Sequence, residues 1–553
     1  MIITQVDPQD SPIPRRSSTG SRIFKLGEVA LSPDTRAGLS FFVRVFAFIS
    51  ALVTLWILAT PLMAYPDEPA HTVKAAAVAR GQFFPAPGES YGHGVHVQVP
   101  SYIANIQSQM CFAFLKDKTA NCAPAIPMGD TLPTIGVTSA GLYNPVYYWI
   151  VGLPSLFISG APAIYAMRIV SGLLSAAAYA AGFTALSRLR NPKWPIIAAT
   201  VATTPMVMFL ASGINPNSIE VSASMAAFCG LVSILENSKQ LHRARPGILT
   251  VGVAAITLAN TRNISPLWLL CGGVAALLFF KRADIAAIFR NKLVLFVSGI
   301  TAIGVSLGVA WSFLMLTAPA SAGDAPLGIS NFNGEVRPYN AFLTMIDRSF
   351  DYVSQYIGVA GWLDAPMPQG VIMFWNMLFV GLSLLVFTVR PYRAQFGFWA
   401  ALAMLVIVPA LVQAAIVNTS GYIWQGRYSL PIFMIAMIST GLALRGKALD
   451  SRSPSQRTLG RILILAMCVA HLYGFLTVLR RYVVGLTDFG NWQTMFTVPS
   501  WQPPLSWEVL SVLFAVTLLL SASRLFTYIF PTQDLIPAIP RLRAKIRTRI
   551  ART

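Results

Sequence analysis

Twelve apolar runs of roughly 15 to 26 residues recur along the chain, and they constrain the fold more than any other feature. A helix needs about 20 apolar residues to cross a hydrocarbon core about 30 Å thick, and inside lipid its backbone must bond to itself. The runs predict crossings near 39–64, 163–187, 194–213, 216–235, 247–261, 264–280, 292–317, 371–389, 396–417, 428–444, 460–479 and 505–529. Composition agrees, since 55% of the 553 residues are hydrophobic and 11% charged, against about 25% charged in soluble domains. A soluble enzyme, a disordered tail and a disulfide scaffold are excluded.

The expected fold class is therefore all-α, a polytopic integral membrane protein with about 12 crossings. A thirteenth would arise if Tyr143 to Gly160 also crossed. That stretch opens Asn144-Pro145-Val146-Tyr147-Tyr148-Trp149, and counting it as a crossing would move Arg188 and Lys193 to the wrong side of the charge pattern. It reads better as an interfacial or re-entrant helix with Tyr and Trp at headgroup depth.

Lys+Arg 41 against Asp+Glu 21 leaves a net charge of +20. The bases cluster in short segments between runs: Arg188, Arg190 and Lys193; Lys239, Arg243 and Arg245; Lys281, Arg282 and Arg290; Arg390 and Arg393; Arg445, Lys447 and Arg457. This is a topology signal and not a nucleic-acid surface. It places both termini in the cytoplasm and the chain in the plasma (inner) membrane, of bacterial type.

The resulting organisation is a disordered basic N-terminus at 1–38, a transmembrane domain at 39–530 and a basic cytoplasmic tail at 531–553. Its outer loops are 65–142, 318–370 and a smaller one at 480–504. No internal repeat is visible, which weakens a transporter built from duplicated halves. Cys229, Cys271 and Cys468 lie within apolar runs, whereas Cys111 and Cys122 share a polar loop, where an oxidising side would permit a disulfide.

At the outer end of the first run stands Tyr65-Pro66-Asp67-Glu68-Pro69-Ala70-His71-Thr72-Val73-Lys74. Asp67 is suited to cap a helix whose first turn tolerates Pro69, which would put Asp67, His71 and Lys74 on one face. Capping needs one acid, so the adjacent Glu68 leaves open a base or a metal ligand. By the same reading His71 alone is structural and Lys74 snorkels. Asn215-Pro216-Asn217-Ser218 is a turn and helix start. The pair His93 and His96, without a third ligand, is weak evidence for metal. Phosphate-loop, dinucleotide and Cys-x-x-Cys patterns are absent from the sequence.

Four motifs in order, Asp67-Glu68-Pro69-Ala70-His71, Asn144-Pro145-Val146-Tyr147-Tyr148, Gly361-Trp362-Leu363-Asp364 and Gln425-Gly426-Arg427-Tyr428-Ser429-Leu430-Pro431, resemble the membrane family called domain of unknown function 2142. That family in turn resembles the GT-C superfamily of polytopic glycosyltransferases. The resemblance runs from about 40 to 445 and implies a GT-C-like fold. It also implies transfer of a sugar from a polyprenyl-phosphate donor to an extracytoplasmic cell-envelope glycan or lipid, with inversion. Asp67 would be the catalytic base and Glu68 its partner.

Such a reaction needs a carboxylate for the acceptor's proton and positive charge for the departing phosphate. Arg427, Arg262 and Lys74 are the candidates for the phosphate. A divalent cation (Mg or Mn) on Asp67 or Glu68 is another way to supply that charge. His71, Tyr148, Trp362, Asp364, Gln425 and Tyr428 are candidates for substrate binding. A transporter or flippase for lipid-linked sugars is the rival reading, and a non-catalytic scaffold a third; acids at helix ends instead of mid-membrane favour the enzyme.

Thiol labelling of intact cells is expected to reach Cys111 and Cys122, with reduction first if they are bonded. Labelling that requires permeabilisation but no reduction inverts this topology.

Overall fold

The computed structural model describes residues 33–85, 94–316, 336–390, 392–487 and 492–531. The expected N-terminal disorder at 1–32, His93 and the basic tail from 532 onward lie outside the described residues.

The helices run α1 (Pro33–Ala59), α2 (Glu68–Ala79), α3 (Ser101–Ala104), α4 (Pro145–Gly152), α5 (Gly160–Ser187), α6 (Lys193–Ala202) and α7 (Pro205–Leu210). They continue with α8 (Pro216–Glu236), α9 (Leu241–Ala259), α10 (Ser265–Leu278), α11 (Arg282–Ile288), α12 (Lys292–Leu316), α13 (Pro338–Asp347) and α14 (Ser349–Gly358). The last six are α15 (Gln369–Val386), α16 (Tyr392–Ser420), α17 (Gly426–Leu444), α18 (Pro454–Val483), α19 (Trp492–Thr497) and α20 (Trp507–Ile529). Two small antiparallel pairs complete the fold, β1 (Val95–Pro100) with β2 (Pro133–Thr138) and β3 (Val359–Ala360) with β4 (Ala365–Pro366).

All twelve apolar runs are helical. Among the described residues nine helices are long and apolar enough to cross a membrane, and α9, α10 and the broken pair α6–α7 account for the other three runs. The run 194–213 is not one helix, because Pro205 lacks an N–H and the chain restarts there. Thr204 caps the new helix, its Oγ1 accepting from Val207 N, and the same hydroxyl donates to Tyr356 O at 2.6 Å. α1 begins at Pro33, so 33–38 are helical and not part of a disordered arm.

Tyr143 to Gly160 forms no helix of membrane-crossing length. It folds as the eight-residue α4 and a short 3-10 turn at 153–156; eight residues rise only about 12 Å. α4 lies against α2, and a Cβ at Gly152 would run into the Ala75 carbonyl. Among the candidate spans α8 and α17 are buried along nearly their whole length, whereas α12 is mostly exposed. α8 packs on α5 and α9, and α17 on α6 and α16.

The long loops meet over one end of the bundle. Cys111 and Cys122 are bonded, and the loop they close turns its Phe112, Leu115 and Lys118 carbonyls onto the fully buried Arg481 guanidinium at 2.6–2.9 Å. Arg481 also pairs with Asp364 at 2.7 Å. Nearby, Trp362 Nε1 donates to Met63 O at 3.0 Å. Segments near residues 63, 115, 363 and 481 are thus tied into one lobe.

The deepest tie is Arg168 with Glu68, both fully buried. Arg168 donates to both Glu68 oxygens, at 2.7 and 2.6 Å, and to the carbonyls of Ile57, Thr60 and Pro61 at 2.6–3.3 Å. Those carbonyls belong to the last turn of α1 and its exit, which have no intrahelical donor. Ile214 N adds a third donor to Glu68 at 3.2 Å.

Arg168→Met leaves Glu68 buried and unpaired, and should lower stability by about 3–5 kcal/mol. Unfolding of the detergent-purified protein should show the double variant Arg168→Met/Glu68→Met to be less damaged than that single one.

Candidate active site where α2 meets α17

Asp67 and Glu68 are neighbours in sequence with opposite surroundings. Asp67 sits at φ 60°, in the left-handed region, as the residue before α2. The turn sends Glu68 inward to Arg168 and leaves the Asp67 carboxylate 45% exposed. Asp67 makes no side-chain cap on α2. Its Oδ2 instead accepts from Arg427 Nη2 at 2.7 Å, across 360 residues of sequence.

The sequence motifs at Asp67 and Arg427 therefore form one site. Arg427 is 5% exposed, and its Nη2 also donates to Tyr428 Oη at 3.2 Å. The Tyr428 ring has two guanidiniums near it, Arg427 at 5.1 Å and Arg262 at 4.8 Å from its centroid. Arg262 is fixed by Glu220 at 3.0 Å, and the other Glu220 oxygen accepts from Ser265 Oγ at 2.6 Å. Two buried polar atoms here lack a partner among the described residues: Arg427 Nε and Gln425 Oε1. Buried polar atoms are nearly always satisfied, so such a pair marks a place where a polar ligand or water belongs.

His71 and Tyr148 line the same region. His71 Nδ1 and Tyr148 Oη lie 2.8 Å apart, and Tyr143 stacks on the imidazole with centroids 5.9 Å apart. Burial lowers the His71 pKa to about 3 against a weaker raising by Asp67; the Arg262 and Arg427 charges lower it further. Burial also pushes the Tyr148 phenol well up. Burial thus favours the neutral imidazole at this wall of the site.

Other expected members lie elsewhere. Of Asp67, His71 and Lys74 only the first two come together, the Asp67 charge acting on the His71 ring, while Lys74 is engaged by loop carbonyls. Lys74 is buried and donates to Gly141 O at 2.8 Å and Phe83 O at 3.4 Å; burial lowers its pKa to about 8. It fastens the loop lobe through those two carbonyls. Glu68 is spent on Arg168, Asp364 on Arg481 and Trp362 N, and the Trp362 indole on Met63. Asn215 is the helix start expected of it, its side chain accepting from Asn217 N while its Nδ2 donates to Pro66 O.

Arg168 and Arg481 were not singled out by the motifs, though a signal existed for the first. Arg168 is a charge within the run 163–187, and a charge in lipid implies a partner. Among the described residues no group of three His, Cys, Asp or Glu side chains could hold a metal ion. The exposed carboxylate faces a guanidinium where a cation site would need a second oxygen ligand.

With this geometry in place the chain can be set among known proteins. It is a polytopic helical membrane protein, and it belongs to the family described as predicted membrane protein (DUF2142), whose model matches residues 51–436. No curated protein matches its sequence. Among solved structures it is similar to ArnT from Cupriavidus metallidurans bound to undecaprenyl phosphate, at 12% identity and a TM-score of 0.39, over 89% of this chain and 77% of that one. The apo ArnT structure gives 12% and 0.40, over 90% and 78%.

The low His71 pKa sets a pH dependence. Unfolded His71 binds a proton below about pH 6.5 that the folded protein refuses, so stability is full above that pH and lost as pH falls toward 3. The slope approaches about 1.4 kcal/mol per pH unit. Thermal unfolding between pH 7 and 5 should show it, and His71→Asn should flatten it.

Proposed function

We propose that this protein is a membrane glycosyltransferase that moves a sugar from a polyprenyl-phosphate donor to a cell-envelope glycan or lipid. The observation that carries the reading is the half-exposed Asp67 carboxylate held 2.7 Å from a buried arginine whose Nε has no partner among the described residues. One group can take a proton and the other can hold a phosphate, side by side where the loop lobe meets the membrane helices. The motif resemblance to the DUF2142 family, which in turn resembles GT-C enzymes, supplies the reaction class.

In this reading Asp67 accepts the proton of the acceptor hydroxyl as its oxygen attacks the anomeric carbon. The bond from that carbon to the phosphate oxygen breaks, and its electron pair leaves with the phosphate. Attack opposite the leaving group inverts the anomeric configuration. Arg427 and Arg262 stabilise the charge growing on the phosphate, and guanidiniums suit its oxygens through paired N–H donors. Tyr428 keeps the two cations apart and oriented. Gln425 and the His71–Tyr148 pair border the sugar.

In this scheme Arg427 supplies the positive charge that a Mg or Mn ion on Asp67 would otherwise supply. The loop lobe faces outward in this reading, supported by its disulfide and by the bases at the opposite end. There Arg190 N and the Arg445 guanidinium meet Glu236, and Lys193 bonds to Ser451. The site would then open to the extracytoplasmic side, with both termini in the cytoplasm.

The test is release of free polyprenyl phosphate from a panel of polyprenyl-phosphate sugars by protein in nanodiscs. Asp67→Asn should reduce release by about 10²–10⁴-fold, the usual contribution of a general base, with donor binding retained. Arg427→Lys should weaken both, and a chelator should change neither. Donor binding and flipping without release by folded wild type would instead establish the transporter.

A further inference from the structure

The far end of α2 from Asp67 borders a groove of about 490 Å³. Gln82, Gln98 and Thr131 line it among the apolar Val99, Pro100 and Pro133, and the segment before α5 adds Leu156, Phe157 and Ile158. Those three apolar side chains are exposed, Phe157 by 85%, and they immediately precede α5, a candidate membrane span. The groove thus has one lip at the level where a helix enters the bilayer and one turned toward water.

Its chemistry narrows the occupant. Arg80 lines it, but its guanidinium donates to Ala76 O, Ser155 Oγ and Ser155 O at 2.7–2.9 Å. Among the described residues no carboxylate lines the groove. A cation therefore finds no opposite charge there, and an anion finds the Arg80 charge with three of its five N–H donors already committed to neutral acceptors. An added peptide strand is also refused, because the Gln82 amide already pairs with the backbone of Gln98 on the β1 edge, at 2.6 and 2.8 Å. The exposed Gln98 amide and Thr131 hydroxyl make no side-chain hydrogen bond within the described protein, and the exposed Phe157 ring lines the same groove. Neutral hydrogen-bonding groups in one groove with an aromatic suit a sugar, which offers hydroxyls on its edge and C–H groups on its face.

We infer that this groove binds the headgroup of a neutral glycolipid. Sugar hydroxyls meet Gln98 and Thr131, the ring lies on Phe157, and the hydrocarbon passes into the bilayer beside Leu156 and Ile158. The inference rests on the transferase reading in one respect, that it assigns the acceptor's class. The 12 residues of α2, rising about 1.5 Å each, separate the groove from Asp67 by about 18 Å. A lipid-anchored glycan seated here can extend along α2 and present its far hydroxyl to Asp67.

The experiment uses the full chain in phosphatidylcholine nanodiscs, with a photoreactive benzophenone side chain at the exposed Phe157 position. Galactosyl diacylglycerol and diacylglycerol are the probes, and no donor is present. The galactolipid should be captured in preference to diacylglycerol and phosphatidylcholine. Gln98→Ala/Thr131→Ala should cut that capture by about tenfold, the effect of two hydrogen bonds near 0.7 kcal/mol each. Equal capture of both probes identifies an ordinary membrane contact and overturns the inference, as does galactolipid capture that the double variant leaves unchanged. Because this readout involves neither donor nor Asp67, it can fail while the transferase reading stands, and succeed while that reading fails.

Discussion

The arrangement of the loop lobe depends on a buried arginine. Arg168 satisfies the carbonyls where α1 ends and, with the same guanidinium, fixes the carboxylate with which α2 begins. Its five N–H groups all have acceptors, which is the condition under which a buried ion pair holds together without leaving a charge exposed to a low dielectric. The turn between α1 and α2 is thereby set from beneath. Asp67 is the residue that this turn leaves over.

Two adjacent acids consequently have different employment. Glu68 is structural because it points down into the helix bundle, and Asp67 stays half-exposed because its positive φ points it across toward α17. Tandem acids read as a catalytic pair on residue type alone, and their sequence position does not distinguish the two directions. The backbone sign at one residue does.

The membrane architecture was legible because apolar length is a local property, and each of the twelve runs became helix. The one broken run carried its reason in Pro205. Motifs at Asp67 and at Gln425–Tyr428 could be singled out by their residue types, but their meeting depends on how α2 and α17 are placed, which no local pattern encodes. The same limit explains Lys74 and Asp364. Each is a charged residue near a motif, and each is consumed by a backbone carbonyl or an arginine far away in sequence. Arg168 was the readable exception, since a charge within an apolar run announces that a partner exists without saying which.

Arg481 carries a consequence for biogenesis. The disulfide-closed loop offers three carbonyls to a guanidinium that is made more than 350 residues later. Chains emerge N-terminus first, so during synthesis this loop spends most of its time with those carbonyls bonded to water. The lobe can be completed only after α18 has entered the membrane. A nascent chain halted before that point presents an unfinished lobe, visible to proteases and chaperones, even though all of its loop sequence has been made. Completion of the lobe thus reports that nearly the whole bundle has been inserted.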